Sequence, residues 1–589
     1  MLAHSADTFV LGLVTPLAVM FLLSGLDDLA VDFAWFYAWA AERLSLSRND
    51  TREVPDTPPR PIAILVPLWK EHAVIARMLE HNLAAIRYPD FHIFAGIYAN
   101  DALTEEAVAT ISERFSNVHL AVCPHDGPTS KADCLNWIYQ HVGLYEEQNG
   151  VAFDIIITHD AEDLIHPEEL RWINAYATHF GFIQIPVLAL ATPFCSFTHG
   201  VYCDEFAEYH TRDMVVRSSF GCFVPGSGVG TGYSREALEA LARASDNRVF
   251  EPASLTEDYE SGLRLYRLGC RQVFIPLTRL QLGGRDFVAT REFFPTKWTT
   301  ALAQRTRWVT GIALQGWERF GWAGTRSEIY WLWRDRKGLL GNPLAVVANI
   351  VFLYGLATAM WSRMTPLAVE LSSVTLAFQL VRVIIRMGCV ARVYGFVFAL
   401  GVPLRLPYAN VLNAAATVKA VARYANARMR RLPLRWIKTE HSYPTRAALL
   451  SHKRPLGEIL QALGYLNATA LQAALAACPP ETRLGAFLVA KGQLHELDLY
   501  EALSLQQGLP IARIELDDVP LHVARVLPER IVRQWRVLPF KIADGSLLLA
   551  SPDLPTLAMT SALRPFTALE IRFHLLPLSE YKQLVDALL

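Results

Sequence analysis

The chain has 589 residues, 52% of them hydrophobic, and a formal net charge of −2. That length exceeds a single core and implies about three or four units, while the apolar fraction is too high for a wholly soluble protein and too low for one that is all membrane. The near-zero charge excludes a global polyanion-binding role, so nucleic acid is not an expected partner, and eight cysteines without a CxxC pair exclude a zinc finger or a disulfide framework.

Residues 8–26 (TFVLGLVTPLAVMFLLSGL) carry no charge and are long enough to cross a hydrocarbon core of about 30 Å. No Lys or Arg precedes them and no AxA-type site follows, so a retained span is expected rather than a cleaved signal peptide. Arg43, Arg48, Arg52 and Arg60 follow, which places the N-terminus outside and the chain from residue 40 in the cytoplasm.

Short apolar runs come next at 62–67, 93–98, 118–122 and 154–158, separated by helical patterns such as 71–86 and 131–141. Strands alternating with helices indicate an α/β domain with a mostly parallel sheet, whose ligands bind beyond the C-terminal strand ends. Polar residues stand at those ends: Pro67 and Glu71 after the first run, Asn100 and Asp101 after the second, His159 to Asp163 after the fourth. Asp160 and Glu162 have the spacing to hold a hard divalent ion through oxygen, although carboxylates at this density also occur in solvated turns. Residues 224–232 (VPGSGVGTG) lack the strand and the downstream acid of a dinucleotide loop and are expected to form a turn beneath an acceptor pocket. No Gly-Lys dipeptide occurs, which excludes a P-loop.

Thr256-Glu257-Asp258 and Gln304-Arg305-Thr306-Arg307-Trp308 complete an ordered set: D, D-x-(D/E), T-E-D, Q-x-x-R-W. This order resembles processive family 2 glycosyltransferases, the group of cellulose, chitin and hyaluronan synthases. The resemblance implies a GT-A (Rossmann-like) α/β glycosyltransferase domain. Asp101 then corresponds to the aspartate on the uracil and ribose side, and Asp160 and Glu162 to the metal pair for Mg²⁺ or Mn²⁺, with Glu162 departing from the usual Asp. Asp258 corresponds to the catalytic base beside Glu257, and Gln304, Arg307 and Trp308 to the Q-x-x-R-W set. Lys131 and Asp133, in GPTSKAD, resemble the segment that lies along the nucleotide, with Pro67, Glu71 and Asn100 completing the expected binding surface for a UDP-sugar. The chemistry accounts for these residue types. An acceptor hydroxyl needs a carboxylate base, the leaving diphosphate needs positive charge, and a flat indole offers a face to a sugar ring. The alternative reading of Trp308 is a core aromatic at the membrane interface, where Trp is enriched.

Further apolar stretches lie at 343–361, 366–385 and 393–417. The last contains Pro403, Arg405 and Pro407 and is expected to be an interfacial amphipathic helix, which leaves three spans and a cytoplasmic C-terminus. After residue 454 an internal repeat appears: 455–478 aligns with 483–506 at an offset of 28. Each copy reads as two short helices, either a docking module without a ligand or a binding unit. The repeat resembles the MshEN-type cyclic-di-GMP-binding domain, a tandem helical repeat followed by a small α/β subdomain with strand-like runs at 546–550 and 570–575. That resemblance implies ligand contacts from Arg454, Leu456, Gly457 and Leu460 in the first copy, and from Arg483, Leu484, Gly485, Leu488 and Gln506 in the second. The first copy departs from the pattern, with Pro455 in the place of Arg483 and Cys478 in that of Gln506.

Four segments are expected: an N-terminal span and linker (1–60), the transferase domain (61–320), membrane helices with a basic linker (321–445) and the MshEN-type domain (446–589). With GPTSKADCLN (127–136), HDAED (159–163), LTEDY (255–259), WRDRKG (333–338) and the linker Trp436 to His441, the whole order resembles the NfrB group of phage-adsorption-associated inner-membrane glycosyltransferases. This implies cyclic-di-GMP-activated synthesis of an exopolysaccharide from a UDP-sugar, UDP-N-acetylmannosamine in that group. The implied partners are a growing glycan and the lipid bilayer, with an outer-membrane export protein or a homodimer as candidates. The alternatives are a catalytically weak membrane scaffold that recruits partners through its C-terminal domain, and an enzyme adding one sugar to a lipid carrier.

Overall fold

The computed structural model describes residues 2–45, 57–277, 287–432, 434 and 455–589 apart from 464, 480, 481, 508, 513, 517, 518, 544, 545 and 568. The chain forms two compact units, Met1–Met78 with Ile86–Pro444 and Leu79–Ala85 with Thr445–Leu589. Arg48, Arg52, the linker Trp436 to His441 and Arg454 lie outside the described residues.

In the larger unit the apolar runs become strands β1 (Ile62–Pro67), β2 (Phe91–Tyr98), β3 (Val118–Cys123) and β4 (Ile155–Thr158). They pair in parallel, β1 lying between β2 and β4. Strands buried on both faces need no polar alternation, which is why IAILVP and DIIIT read as continuous apolar runs. The sheet continues through shorter strands, β5 (Phe182–Gln184), β7 (Thr231–Ser234) and β8 (Gln272–Phe274), in the order β3-β2-β1-β4-β7-β5-β8, with β7 antiparallel to both neighbours. A separate pair joins β6 (Val187–Ala189) to β9 (Thr290–Glu292) in parallel. The 224–232 segment leads directly into β7, and its glycines pack on the helix Glu257–Arg267. A Cβ at Gly226 would stand 2.6 Å from the Asp258 carbonyl oxygen, and one at Gly228, where φ is +80°, 2.8 Å from Asp258 Oδ2.

Three described helices are long and apolar enough to cross a membrane: Asp7–Ala41, Gly338–Thr358 and Pro366–Tyr394. The first belongs to a 44-residue helix, Leu2–Ser45, which at about 1.5 Å per residue is roughly twice the length a bilayer core needs. The charge-free run 8–26 ends at Asp27 and Asp28. The helix nevertheless runs on, because these acids find partners. Arg334 pairs with Asp27, Asp28 and Asp213, Lys337 Nζ lies 2.7 Å from Asp27, and Arg212 and Arg382 share Asp32 at 2.5 and 2.9 Å. Arg382 and Arg386 both reach Glu208. Removing one partner from such a buried set strands an uncompensated charge, so the lattice fixes the membrane helices to the transferase helices in one register.

The 393–417 stretch is not one element. The third apolar helix runs to Tyr394, and a separate helix, Val402–Met429, follows a short turn. This helix is held by a bidentate pair, Arg405 to Asp204 with both bonds at 2.7 Å, and it turns Leu404, Val411 and Val418 outward at seven-residue spacing. An apolar outer face over a polar anchor suits a membrane surface, and the helix is not among the three long apolar ones.

In the smaller unit the repeat gives four helices, Leu456–Ala462, Ala468–Ala477, Leu484–Ala490 and Glu496–Gln507, whose starts keep the 28-residue offset. A three-stranded sheet follows, β10 (Leu538–Ala543), β11 (Ser546–Ser551) and β12 (Glu570–Leu575), in that order, with its own apolar core.

Candidate active site

Lys131 opens the helix Lys131–Asn149, whose N-terminus is capped by Ser130 accepting from Asp133 N–H at 3.2 Å. A cation at a helix N-terminus opposes the helix dipole, so local partners must hold it. Lys131 Nζ lies 2.6 Å from Asp160 Oδ1 and 3.9 Å from Glu257 Oε1, and it donates to the Gly228 carbonyl at 3.4 Å. Burial works against its charge, yet Asp160, Glu257 and Asp258 more than offset this and raise its pKa.

Asp160 follows β4 in a loop fastened by a buried charge relay. His159 Nδ1 meets Asp163 Oδ2 at 2.8 Å and Nε2 meets Glu169 Oε1 at 3.0 Å, while Asp163 Oδ2 also accepts the Asp160 N–H at 2.9 Å. Burial opposes the imidazolium, but Glu169 and Asp163 raise its pKa to about 10. His159 heads the HDAED segment of the sequence, whereas Glu169 belongs to no motif found there. The only hint was a histidine at a strand end within four residues of a carboxylate.

Glu257 and Asp258 occupy the first turn of Glu257–Arg267, where carboxylates favour free N–H groups, and Asp258 Oδ1 accepts from Tyr259 N–H at 2.8 Å. Burial and then Asp258 push Glu257 up to about 7, and burial likewise raises Asp258. The Q-x-x-R-W segment lies on the helix Trp298–Trp308, which widens into a π-helical stretch at Val309–Gln315. Its side chains divide. Arg305 bridges Glu205 and Asn413 at 2.7 and 2.6 Å, while Arg307 donates to the Leu255 carbonyl at 3.3 Å at the foot of the T-E-D segment. Trp308 packs edge-on to Tyr202 and Phe294.

A cleft lined by Pro67, Glu71, Lys131, Asp160, Glu162 and Arg307 opens into a cavity of about 990 Å³ that also exposes Glu257, Asp258, Gln304 and Trp308. Trp69 and Tyr98, in T-shaped contact at 5.5 Å, wall the cleft and carried no motif in the sequence. At its far side the cavity is lined by Phe21, Gly341 and Gln379, one from each apolar helix. Three expected nucleotide-binding residues do other work. Asn100 ties down Gly127 through two hydrogen bonds, of 2.8 and 2.9 Å, and Asp101 accepts the Lys70 N–H at 2.5 Å. Asp133 turns to His125 at 3.0 Å. They shape the loops around the cleft and do not line it.

Comparison with known proteins agrees with this geometry. A model described as glycosyltransferase like family 2 matches residues 58–311. The bacteriophage adsorption protein B of Escherichia coli (strain K12) is 33% identical over 570 residues, covering 91% of this chain and 76% of that protein. The chain belongs to the bacteriophage adsorption protein B family. The bacteriophage N4 adsorption protein B of Escherichia coli O157:H7 gives the same identity and coverage. As a member of that family with a family 2 transferase domain, the chain is a glycosyltransferase. Among solved structures, the mannosyltransferase PcManGT from Pyrobaculum calidifontis, in complex with GDP-Man and Mn2+, is 16% identical, covers 69% of this chain and 99% of its own, and has a TM-score of 0.42. MshE with cdg is 30% identical over 23% of this chain and 97% of its own, with a TM-score of 0.21.

An MshEN-domain model matches residues 507–589, the part carrying β10 to β12, and does not extend over the helical repeat. Within the repeat, the motif residues divide as the transferase motifs do. Leu460 and Leu488 are fully buried in a core cluster, so they pack the helices and are not faces for a ligand. The paired glycines serve helix packing too: a Cβ at Gly457 would stand 2.7 Å from Leu471, and one at Gly485 would collide with the equivalent Leu499. The expected close approach at both glycines is thus to a neighbouring leucine. Arg483 is exposed at the start of its helix, and Leu456, Leu484 and Gln506 are half-buried.

Proposed function

We propose that this glycosyltransferase transfers sugar from a UDP-sugar, UDP-N-acetylmannosamine in our reading, to a growing exopolysaccharide. Transfer is by single displacement with inversion, at the cytoplasmic face of the inner membrane. The reading is carried by one juxtaposition: Lys131, Asp160, Arg307 and Asp258 face a single cavity that also exposes Trp308. Asp258 takes the proton of an acceptor hydroxyl, whose oxygen attacks the anomeric carbon as the bond to UDP breaks. Lys131 and Arg307 neutralise the departing diphosphate, and Trp308 offers a face to the acceptor ring. Asp160 and Glu162 both line the cleft, and two carboxylates plus substrate phosphates are a usual donor set for Mg²⁺ or Mn²⁺. When bound there, such an ion supplies further charge to the diphosphate. Asp258 must be ionised to act, so its raised pKa places the acid limb of activity above the ordinary carboxylate range.

Cyclic-di-GMP bound by the C-terminal unit, with Arg483 as its exposed cation, activates the transferase in this reading. The test is UDP release from the purified full-length protein in nanodiscs, with a panel of UDP-sugars and Mn²⁺, with and without cyclic-di-GMP. Release with one donor, raised by the dinucleotide and lost in Asp258→Asn, is the expected result. Turnover unchanged by saturating dinucleotide overturns the regulatory part, and no release with any donor overturns the donor assignment.

A further inference from the structure

Glu292 ends β9, a three-residue strand with no sequence motif. Its neighbours fix where it points. Arg291 exchanges both backbone hydrogen bonds with Leu164, at 2.9 and 3.1 Å, so β9 runs beside the loop that carries Asp160 and Asp163. Side chains alternate along a strand. Thr290 Oγ1 donates to Glu169 Oε2 at 3.2 Å, beneath His159, and Glu292 follows on that same face. Burial, and then Asp163 and Asp160, hold the Glu292 carboxyl well above the ordinary carboxylate range, against the opposing charges of Lys131 and His159. Two residues further on, Phe294 stacks on Tyr202 at 4.7 Å and borders Trp308. Glu292 and Phe294 both line the catalytic cavity.

Glu292 therefore lies between the diphosphate end of the cavity, at Lys131 and Asp160, and the aromatic end at Phe294 and Trp308. That interval must hold the sugar ring in transit. Nearby, Glu169, Glu205, Glu208 and Glu257 are each tied to a cation or a hydroxyl. The Glu292 carboxylate has no side-chain partner among the described residues. A half-buried acceptor facing a cavity is costly unless a ligand supplies its hydrogen bonds.

We propose that Glu292 is a specificity-determining residue that accepts hydrogen bonds from hydroxyl or amide groups of the donor sugar ring. The inference rests on the donor placement between Lys131 and Asp258, and it names a contact that placement alone does not require. No proton or bond is exchanged. The carboxylate orients the ring so that the anomeric carbon faces Asp258 and the acceptor.

The test uses full-length protein in nanodiscs and the nucleotide sugar that wild type turns over. Glu292→Gln is expected to bind UDP alone, with Mn²⁺, within about twofold of wild type, while kcat/KM for the donor falls about 10- to 100-fold, the range of a buried sugar donor left without its acceptor. Deoxy analogues of the donor supply a readout that folding defects do not move. The analogue lacking the recognised hydroxyl should be strongly disfavoured by wild type and barely distinguished by Glu292→Gln. Equal discrimination in both proteins, wild-type kinetics in the variant, or a parallel loss of UDP binding overturns the proposal. Failure of the underlying donor placement shows separately, as retained turnover in Asp258→Asn.

Discussion

The transferase core and the C-terminal repeat are both rich in recognisable motifs, yet the two regions use their motif residues in opposite ways. In the transferase, Lys131, Asp160, Asp258 and Arg307 leave four different elements and meet in one cavity. In the repeat, Leu460 and Leu488 disappear into a core, and Gly457 and Gly485 make room for Leu471 and Leu499. Charged residues brought together at strand and helix ends oppose the hydrophobic effect and need a chemical reason to be there. Leucines and glycines repeating at a fixed offset need only a packing reason. A motif is informative about chemistry in proportion to what its burial costs.

The contrast makes predictions of different kinds for the two regions. Asp258→Asn should lower turnover by about 10²- to 10⁴-fold with UDP affinity retained, measured by UDP release against calorimetric binding. A fold-like loss of binding in this variant would make the residue a nucleotide ligand instead. His159→Ala should destabilise the transferase unit by about 3–5 kcal/mol in thermal unfolding, because Asp163 and Glu169 remain buried without their cation. Its pH dependence has a definite sign. The folded imidazole is raised to about 10 from an ordinary value of 6.5. Its contribution is therefore full below about 6.5 and is lost as pH climbs towards 10. Leu488→Ala should cost the C-terminal unit about 2–5 kcal/mol, while Arg483→Ala, on the surface, should stay within about 0.5 kcal/mol and affect cyclic-di-GMP affinity alone. Equal stability losses in these two variants would erase the distinction between packing and ligand residues drawn here. The smallest effect is expected in the acid limb of the pH–rate profile. Activity should fall with pH at a higher pH than an ordinary carboxylate base would give, because burial raises both Glu257 and Asp258 and a protonated base is inert.

The sequence made the parallel half of the sheet legible because β1, β4 and most of β2 are buried on both faces and read as unbroken apolar runs. It hid β5, β6, β8 and β9, each three residues long, too short to show any period and carrying Gln184, Gln272, Thr290 or Glu292 in three cases of the four. Of the site, the charges that touch the cavity were visible as motifs. The residues that hold them were not: His159 and Glu169 are joined through space rather than sequence, and Asn100, Asp101 and Asp133 carry the right chemistry but spend it on loops. The length of the first helix was hidden for a related reason, since its continuation past Asp27, Asp28 and Asp32 rests on arginines far along the chain.

That last feature also constrains how the protein is made. Asp32 on the first helix bonds to Arg382, 350 residues later in the chain, and Asp27 to Arg334, 307 residues later. A ribosome that has delivered the first helix has delivered acids without counter-charges: Arg212, the first partner of Asp32, follows 180 residues later, and Arg334 and Lys337, the partners of Asp27 and Asp28, later still. Counter-charges thus arrive in chain order: Arg212 for Asp32, then Arg334 and Lys337 for Asp27 and Asp28, and last Arg382, which completes the pairing of Asp32 and joins the third apolar helix to the first.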